Sequence, residues 1–214
     1  MKLKKPEFSS IKNIIFDLGG VLLNIDYFLT EKAFAELGIS NFAESYSQAK
    51  QSTLFDEFEV GRITAREFRD GLRIYMNIDI SDEKLDQCWN SMLLDLPETR
   101  LDLLHAVKYN YRIFLLSNTN IIHYEAYSQY LNETFGIADF KPVMEKQYLS
   151  FEMGMRKPNA DCFNAVLNEN WLLANETLFI DDSIQHIVGA LAVGINAYHL
   201  KPTEDVVGLF EFHT

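Results

Sequence analysis

Asp17, Ser117, Asp181 and Asp182 each follow directly on a short run of β-branched, aromatic or aliphatic residues. NIIF precedes Asp17, IFLL precedes Ser117, and LFI precedes the Asp181–Asp182 pair. A carboxylate can act as a nucleophile and carry a transferred group covalently. Carboxylate and carbonyl oxygens together can hold a hard divalent cation. Lys157, within GMRKP, adds a fixed positive charge. Each residue also has a plainer use. An isolated Asp after an apolar run caps a helix or turn, paired Asp residues are mostly solvated loop charges, and a lone Lys is ordinarily surface. Their shared place at the ends of apolar runs is what marks these four out.

The runs themselves read as strands: Asn13–Phe16, Ile113–Leu116, Leu178–Ile180 and Ile195–Leu200. Continuous apolar stretches of this length suit strands covered on both faces, as in a parallel sheet. Helical patterns alternate with them at Glu98–Lys108, Ile121–Leu131, Ala160–Asn168 and Ile184–Leu191. The alternation predicts an α/β fold with a doubly wound parallel sheet, whose ligands sit beyond the carboxyl ends of the strands. All four residues fall at such ends. Residues 24–97 differ, with helical periodicity in Glu31–Leu37, Ala65–Tyr75 and Asp82–Leu94 and no buried strand. They are expected to form a helical cap inserted after the first strand, leaving 1–23 and 98–214 as the core. Gly61 marks a turn between two cap helices. The surrounding FDEFEVGRIT (Phe55–Thr64) is expected over the site.

Composition narrows the partners. The chain has 19 Lys+Arg against 31 Asp+Glu, a net charge of −12, which argues against nucleic acid and anionic membrane. An anionic ligand would need positive charge or a metal concentrated in its pocket. Cys88 and Cys162 show no metal-ligand spacing and read as free thiols of a cytoplasmic protein. No apolar run approaches membrane-spanning length, and the start has no signal-peptide pattern. His105, His186, His199 and His213 show no metal-binding spacing. His123 either borders a pocket or lies on a helix face, and Arg156 either reaches the site or serves the surface. Tyr109, Tyr111, Tyr124, Tyr127 and Tyr130 are expected to pack helices. No P-loop or dinucleotide fingerprint is present. The expected state is a monomer, with a homodimer left open.

Four segments, in order, resemble the motifs of haloacid dehalogenase (HAD)-like hydrolases: FDLGGVLLNID at Phe16–Asp26, LLSNTN at Leu115–Asn120, GMRKP at Gly154–Pro158 and FIDDS at Phe179–Ser183. The resemblance implies a Rossmann-like HAD core with a helical cap. It also implies a magnesium-dependent phosphatase of a small phosphorylated metabolite, a sugar phosphate, working through an aspartyl-phosphate. In that scheme Asp17 is the catalytic nucleophile. Lys157 assists catalysis and binds the substrate phosphate together with Ser117 and Asn118. Mg2+ is held by an Asp17 oxygen, the Gly19 carbonyl and Asp182, while Asp181 acts through water or orients its neighbour. The segments also resemble a branch with Gly two residues after the nucleophile, which includes bacterial glucose-1-phosphate phosphatases.

Gly19 departs from the usual family pattern. Most phosphatases of the superfamily carry there a second Asp that protonates the leaving group, and general acid–base catalysis contributes about 10²–10⁴-fold. A haloacid dehalogenase also lacks that Asp, because a halide leaves unprotonated. It needs no metal, however, which would leave the Asp pair without a purpose. A phosphomutase would suffer more from the loss. A catalytically weak, phosphate-sensing or partner-binding protein on the same scaffold is the reading Gly19 favours. The combination of Asp17, Lys157, Asp181 and Asp182 opposes it.

Overall fold

The computed structural model describes residues 8–38 and 53–210; His213 lies outside them. Five strands, β1 (Asn13–Phe16), β2 (Arg112–Ser117), β3 (Lys146–Leu149), β4 (Thr177–Asp181) and β5 (Asn196–His199), form one sheet in the order β3-β2-β1-β4-β5. Every pairing is parallel. Helices α5 (Glu98–Val107), α6 (Ile121–Phe135), α7 (Ser150–Met153), α8 (Ala160–Glu169) and α9 (Ile184–Ala192) provide the crossovers. Side chains alternate across the sheet as a period of two requires. Ile14, Phe16, Ile113, Leu115, Leu178 and Ile180 pack with Leu104 and Val107 of α5 on one face. Ile15, Phe114, Leu116 and Phe179 pack with Phe163 of α8 and Ile187 of α9 on the other. Helices on both faces explain why the central strands β1, β2 and β4 carry near-continuous apolar runs.

Strand β3 was not foreseen. Its sequence, KQYL, opens on Lys146 and Gln147, which break the apolar run that announced the others. Gln147 is nonetheless buried, and its amide oxygen accepts a hydrogen bond from Phe140 N–H at 3.4 Å. The edge position supplied what the sequence pattern lacked.

Between β1 and α5 the described chain forms α1 (Tyr27–Glu36), α2 (Leu54–Glu59), α3 (Ala65–Met76) and α4 (Asp82–Trp89). Helix α3 starts on a capping box in which Thr64 and Glu67 bond each other's backbone reciprocally. Such a box satisfies otherwise unpaired N–H groups. Its Phe68, Leu72 and Met76, spaced by four, face a cluster with Phe34, Phe58, Leu85 and Trp89. Phe58 stacks on Phe68 at 4.0 Å, and Arg69 of α3 binds Asp86 of α4 through two hydrogen bonds of 2.8 and 2.6 Å. Gly61, at φ 67°, makes the turn between α2 and α3. The chain leaves and re-enters the sheet through paired segments. Asn24 N–H donates to Asp95 at 2.8 Å, and Leu94 N–H donates back to Asn24 at 3.0 Å. Buried Arg100 braces that crossing through Leu22 O and Asn24 Oδ1.

Candidate active site

Beyond the carboxyl ends of β1, β2 and β4 lies a cavity of about 560 Å3 whose walls include Asp17, Gly19, Ser117, Asn118, Lys157 and Asp182. Topology makes this convergence. The parallel register aligns Phe16 with Leu115 and Ile180, so the residues that follow emerge side by side. Asp17 N–H continues the ladder by donating to Ile180 O at 2.9 Å. Asp181 stands directly behind the wall, fully buried.

Lys157 arrives from the loop between α7 and α8, after which the Lys157–Pro158 peptide is cis. Asn118 holds that loop. Its Nδ2 donates to Lys157 O and its Oδ1 accepts from Lys157 N–H, both at 2.9 Å. The side-chain amide expected to face a phosphoryl group is thus engaged by the backbone through its oxygen and one of its two hydrogens, and the second Nδ2 hydrogen is left for a ligand. Lys157 Nζ, with no solvent exposure, donates to Asp17 Oδ1 and Asp181 Oδ2 at 2.7 Å each.

Electrostatics follow from this burial. Desolvation, then repulsion from Asp181, pushes the Asp17 carboxyl up to about 8 despite Lys157. Burial also acts against a charged Asp181, but Lys157 and a bond from His186 outweigh it and hold that carboxyl at about 2. Burial would strip the proton from Lys157, yet the two aspartates keep it above the ordinary lysine value. Asp182 is raised by burial and by Asp181. The site therefore gathers three carboxyls around one ammonium, and further positive charge would stabilise their ionised forms.

Two donor sets could receive a cation. Asp17, Asp181 and His186 present ligand atoms within 4.8 Å of one another. Asp181, however, is already engaged: Ser183 N–H donates to Oδ1 at 2.7 Å, Lys157 binds Oδ2, and His186 Nδ1 lies 3.0 Å from both oxygens. Asp182 instead faces the cavity and lies against the turn after Asp17. A Cβ on Gly20 would sit 2.3 Å from its Oδ2. Asp17, the Gly19 carbonyl and Asp182 offer oxygen donors alone, the donor type that a hard cation such as Mg2+ prefers to an imidazole.

The remaining walls come from the helices inserted after β1. Arg156 does reach the cavity. It pairs with Asp56 and places Nε 3.0 Å from Glu59 Oε2, linking α2 to the loop that carries Lys157. His123 lines the cavity and is buried. Asn120 Nδ2 meets its Nδ1 at 3.2 Å and Trp89 O meets its Nε2 at 3.3 Å, so the proton sits on Nε2 and both nitrogens are occupied. Burial lowers its pKa to about 4. Tyr127, expected only to pack helices, also lines the cavity, as do Trp89 and His186. Asn120, His123 and Tyr127 recur at helical spacing from the end of LLSNTN. That periodicity was the available signal for Tyr127. His186 lies in the first turn after FIDDS, where position rather than spacing to other histidines was informative.

A family model described as haloacid dehalogenase-like hydrolase matches residues 11–194. The D-ribitol-5-phosphate phosphatase of Bacteroides thetaiotaomicron is 30% identical over 83% of this chain and 85% of its own. A HAD family enzyme from the same organism, solved in complex with magnesium and inorganic phosphate, superposes with a TM-score of 0.82 at 38% identity. That match covers 94% of this chain and 100% of the other. A HAD-like family hydrolase from Porphyromonas gingivalis gives a TM-score of 0.79 at 28% identity, covering 92% and 94% of the two chains.

Proposed function

The chain belongs to the haloacid dehalogenase-like hydrolases, and from that premise we propose a magnesium-dependent phosphatase of a small sugar or polyol phosphate. The observation that carries this reading is Lys157, fully buried and held 2.7 Å from both Asp17 and Asp181 at the floor of the cavity. A buried ammonium between two carboxylates is costly as a structural device. It suits a site that must hold a phosphoryl group next to an anionic nucleophile.

In this mechanism an Asp17 oxygen attacks phosphorus, the substrate alcohol departs, and water later cleaves the aspartyl-phosphate. Lys157 neutralises charge on the transferring oxygens, favours the ionised form of Asp17 against burial and Asp181, and keeps its carboxylate aimed. The Ser117 hydroxyl donates to a phosphoryl oxygen. Asn118 keeps the Lys157 loop in place. Mg2+, held by Asp17, the Gly19 carbonyl and Asp182, neutralises the nucleophile–phosphate pair when bound. Asp181 acts on Lys157 and His186 and so positions them. Gly19 supplies no proton, so the leaving oxygen carries more negative charge than in family members with Asp there. The helices between β1 and α5 serve as a cap that selects the substrate. A net charge of −12 and two free, buried cysteines support a cytoplasmic protein that binds no nucleic acid.

Release of phosphate from p-nitrophenyl phosphate and a panel of sugar and polyol phosphates, with and without Mg2+, tests the reading. Turnover should require Mg2+, and Asp17→Asn should abolish it while leaving the fold intact. Near wild-type kcat in Asp17→Asn would refute the mechanism. Tight phosphate binding without turnover would establish the phosphate-sensing alternative that Gly19 favours.

A further inference from the structure

Helix α2 belongs to the inserted helices by its packing and to the active site by its charges. Its Phe58 is buried against Phe68 of α3, while its Asp56 and Glu59 pair with Arg156, the residue before Lys157. Arg156 Nη1 donates to Asp56 Oδ1, and Nε lies 3.0 Å from Glu59 Oε2. Just beyond α2, the Gly61 turn rests on the backbone of α7, where a Cβ on Gly61 would sit 2.2 Å from Phe151 O. The segment from Phe151 to Lys157 is thus held at three places: by Gly61 at Phe151, by α2 at Arg156, and by Asn118 at the Lys157 backbone. Two of these holds come from the insert. They are distinct from the crossing at Asn24 and Asp95, which joins insert and sheet.

We propose that Arg156 is a positioning residue for Lys157: its pairs with Asp56 and Glu59 bind α2 and the Lys157 loop into one piece, so that seating the inserted helices over the cavity also places the catalytic ammonium. The inference rests on the phosphatase reading above and adds what sets its lysine. Arginine suits the task because Nε and Nη1 each meet a different carboxylate from one planar group. Glu59 is the stronger half of the clamp. It is half-buried, burial pushes its carboxyl pKa up, and Arg156 opposes that shift. Asp56 is largely exposed, where an ion pair contributes little. Without Arg156 the Glu59 carboxylate would stand unpaired in a partly desolvated wall, so that α2 lifts or Glu59 takes up a proton. Either outcome frees the residue next to Lys157. Lys157 has little slack, being fully buried and 2.7 Å from both Asp17 and Asp181. A misplacement of about 1 Å at such a group can cost about 100-fold in rate.

The test measures turnover of p-nitrophenyl phosphate and of a pentitol 5-phosphate, and inhibition by inorganic phosphate, all with Mg2+. Arg156→Gln should lower kcat about 10-fold on both esters, because Lys157 serves the phosphoryl group they share. The inhibition constant of inorganic phosphate should rise with it. Arg156→Lys, which keeps the charge but not the fork, should recover only part of the loss. Glu59→Gln should cost a similar factor, and Arg156→Gln/Glu59→Gln should be no worse than either single variant, since a clamp opened on one side has nothing left to lose on the other. Added to Lys157→Met, Arg156→Gln should cost nothing further on p-nitrophenyl phosphate, whereas a merely structural role would still show. Arg62→Gln, which removes an exposed arginine of the same turn, should change none of these values. A loss confined to the pentitol phosphate would make Arg156 a reader of the substrate body and overturn the proposal. Additive losses from Arg156 and Glu59, or an undiminished loss in the Lys157→Met background, would overturn it as well. Should Lys157→Met fail to fold, the Glu59 cycle and the comparison of esters decide. Active wild type with unimpaired Arg156→Gln sinks this inference alone. Absence of Mg2+-dependent turnover by wild type on every ester sinks the phosphatase reading with it.

Discussion

Asp181 and Asp182 are adjacent in sequence and opposite in circumstance. Asp181 is buried under Lys157, Ser183 and His186, while Asp182 opens on the cavity beside the Gly19–Gly20 turn. Asp182→Ala should therefore raise the Mg2+ concentration needed for half-maximal activity more than Asp181→Ala does. Loss of an outer-shell partner costs about 10–100-fold, so Asp181→Ala should chiefly lower kcat by releasing Lys157. Magnesium titration of both variants decides, and the reverse order would exchange their roles. Gly19 yields a second expectation. Across aryl phosphates of graded leaving-group pKa, kcat/KM should fall steeply as that pKa rises, and a flat plot would reveal an unassigned proton donor. At this scale the meeting of Asp17, Ser117, Lys157 and Asp182 at one cavity was legible, because each follows or neighbours a motif that ends at the same edge of the sheet. The use of the Asn118 amide on the Lys157 backbone was not legible, because an amide that braces a loop and one that binds phosphate have the same sequence.

Elements were legible where burial on both faces wrote a continuous apolar run, as in Asn13–Phe16 and Thr177–Asp181, and less so elsewhere. KQYL escaped notice because an edge strand tolerates Lys146 and Gln147. Helix α2 was hidden because LFDEFE spans under two turns and shows no repeat. Close packing between elements leaves its own trace in glycine. Gly189, inside α9, lies so near the Lys157–Pro158 loop that a Cβ there would sit 2.3 Å from Pro158 O and 3.1 Å from Phe163 Cε2. Gly→Ala inside a helix ordinarily stabilises by roughly 0.5–1 kcal/mol. At this position overpacking, typically about 1–3 kcal/mol, should reverse the sign. The variant should also lose kcat, since the loop pushed aside is the one that carries Lys157. Gly208→Ala meets nothing within 4 Å and serves as the neutral comparison in thermal melts and assays. An unchanged kcat in Gly189→Ala would mean the loop yields without moving its lysine.

The molecule as a whole joins a sheet and an inserted set of helices, and His123, like Arg156, spans their junction. His123 projects from α6, stacks on the Trp89 ring at 5.1 Å and meets the Trp89 carbonyl at the end of α4. Burial, only partly offset by that carbonyl, holds its folded-state pKa at about 4, against an ordinary value of about 6.5 in an unfolded chain. The folded protein thus binds fewer protons than the unfolded chain between these values, and stability must rise with pH across the window. The contribution is complete above pH 6.5 and is lost as pH falls towards 4. Between pH 7 and pH 5 it amounts to roughly 2 kcal/mol. His123→Gln removes the titration while retaining polar atoms for Asn120 and Trp89. Denaturant unfolding at pH 7, 6 and 5 should therefore show wild type losing about 2 kcal/mol more than the variant over that range. Carboxylates elsewhere titrate in both proteins and cancel in the difference. Parallel pH profiles would mean that the imidazole accepts a proton without leaving its place, and the junction between insert and sheet would then not be the acid-sensitive part of the fold.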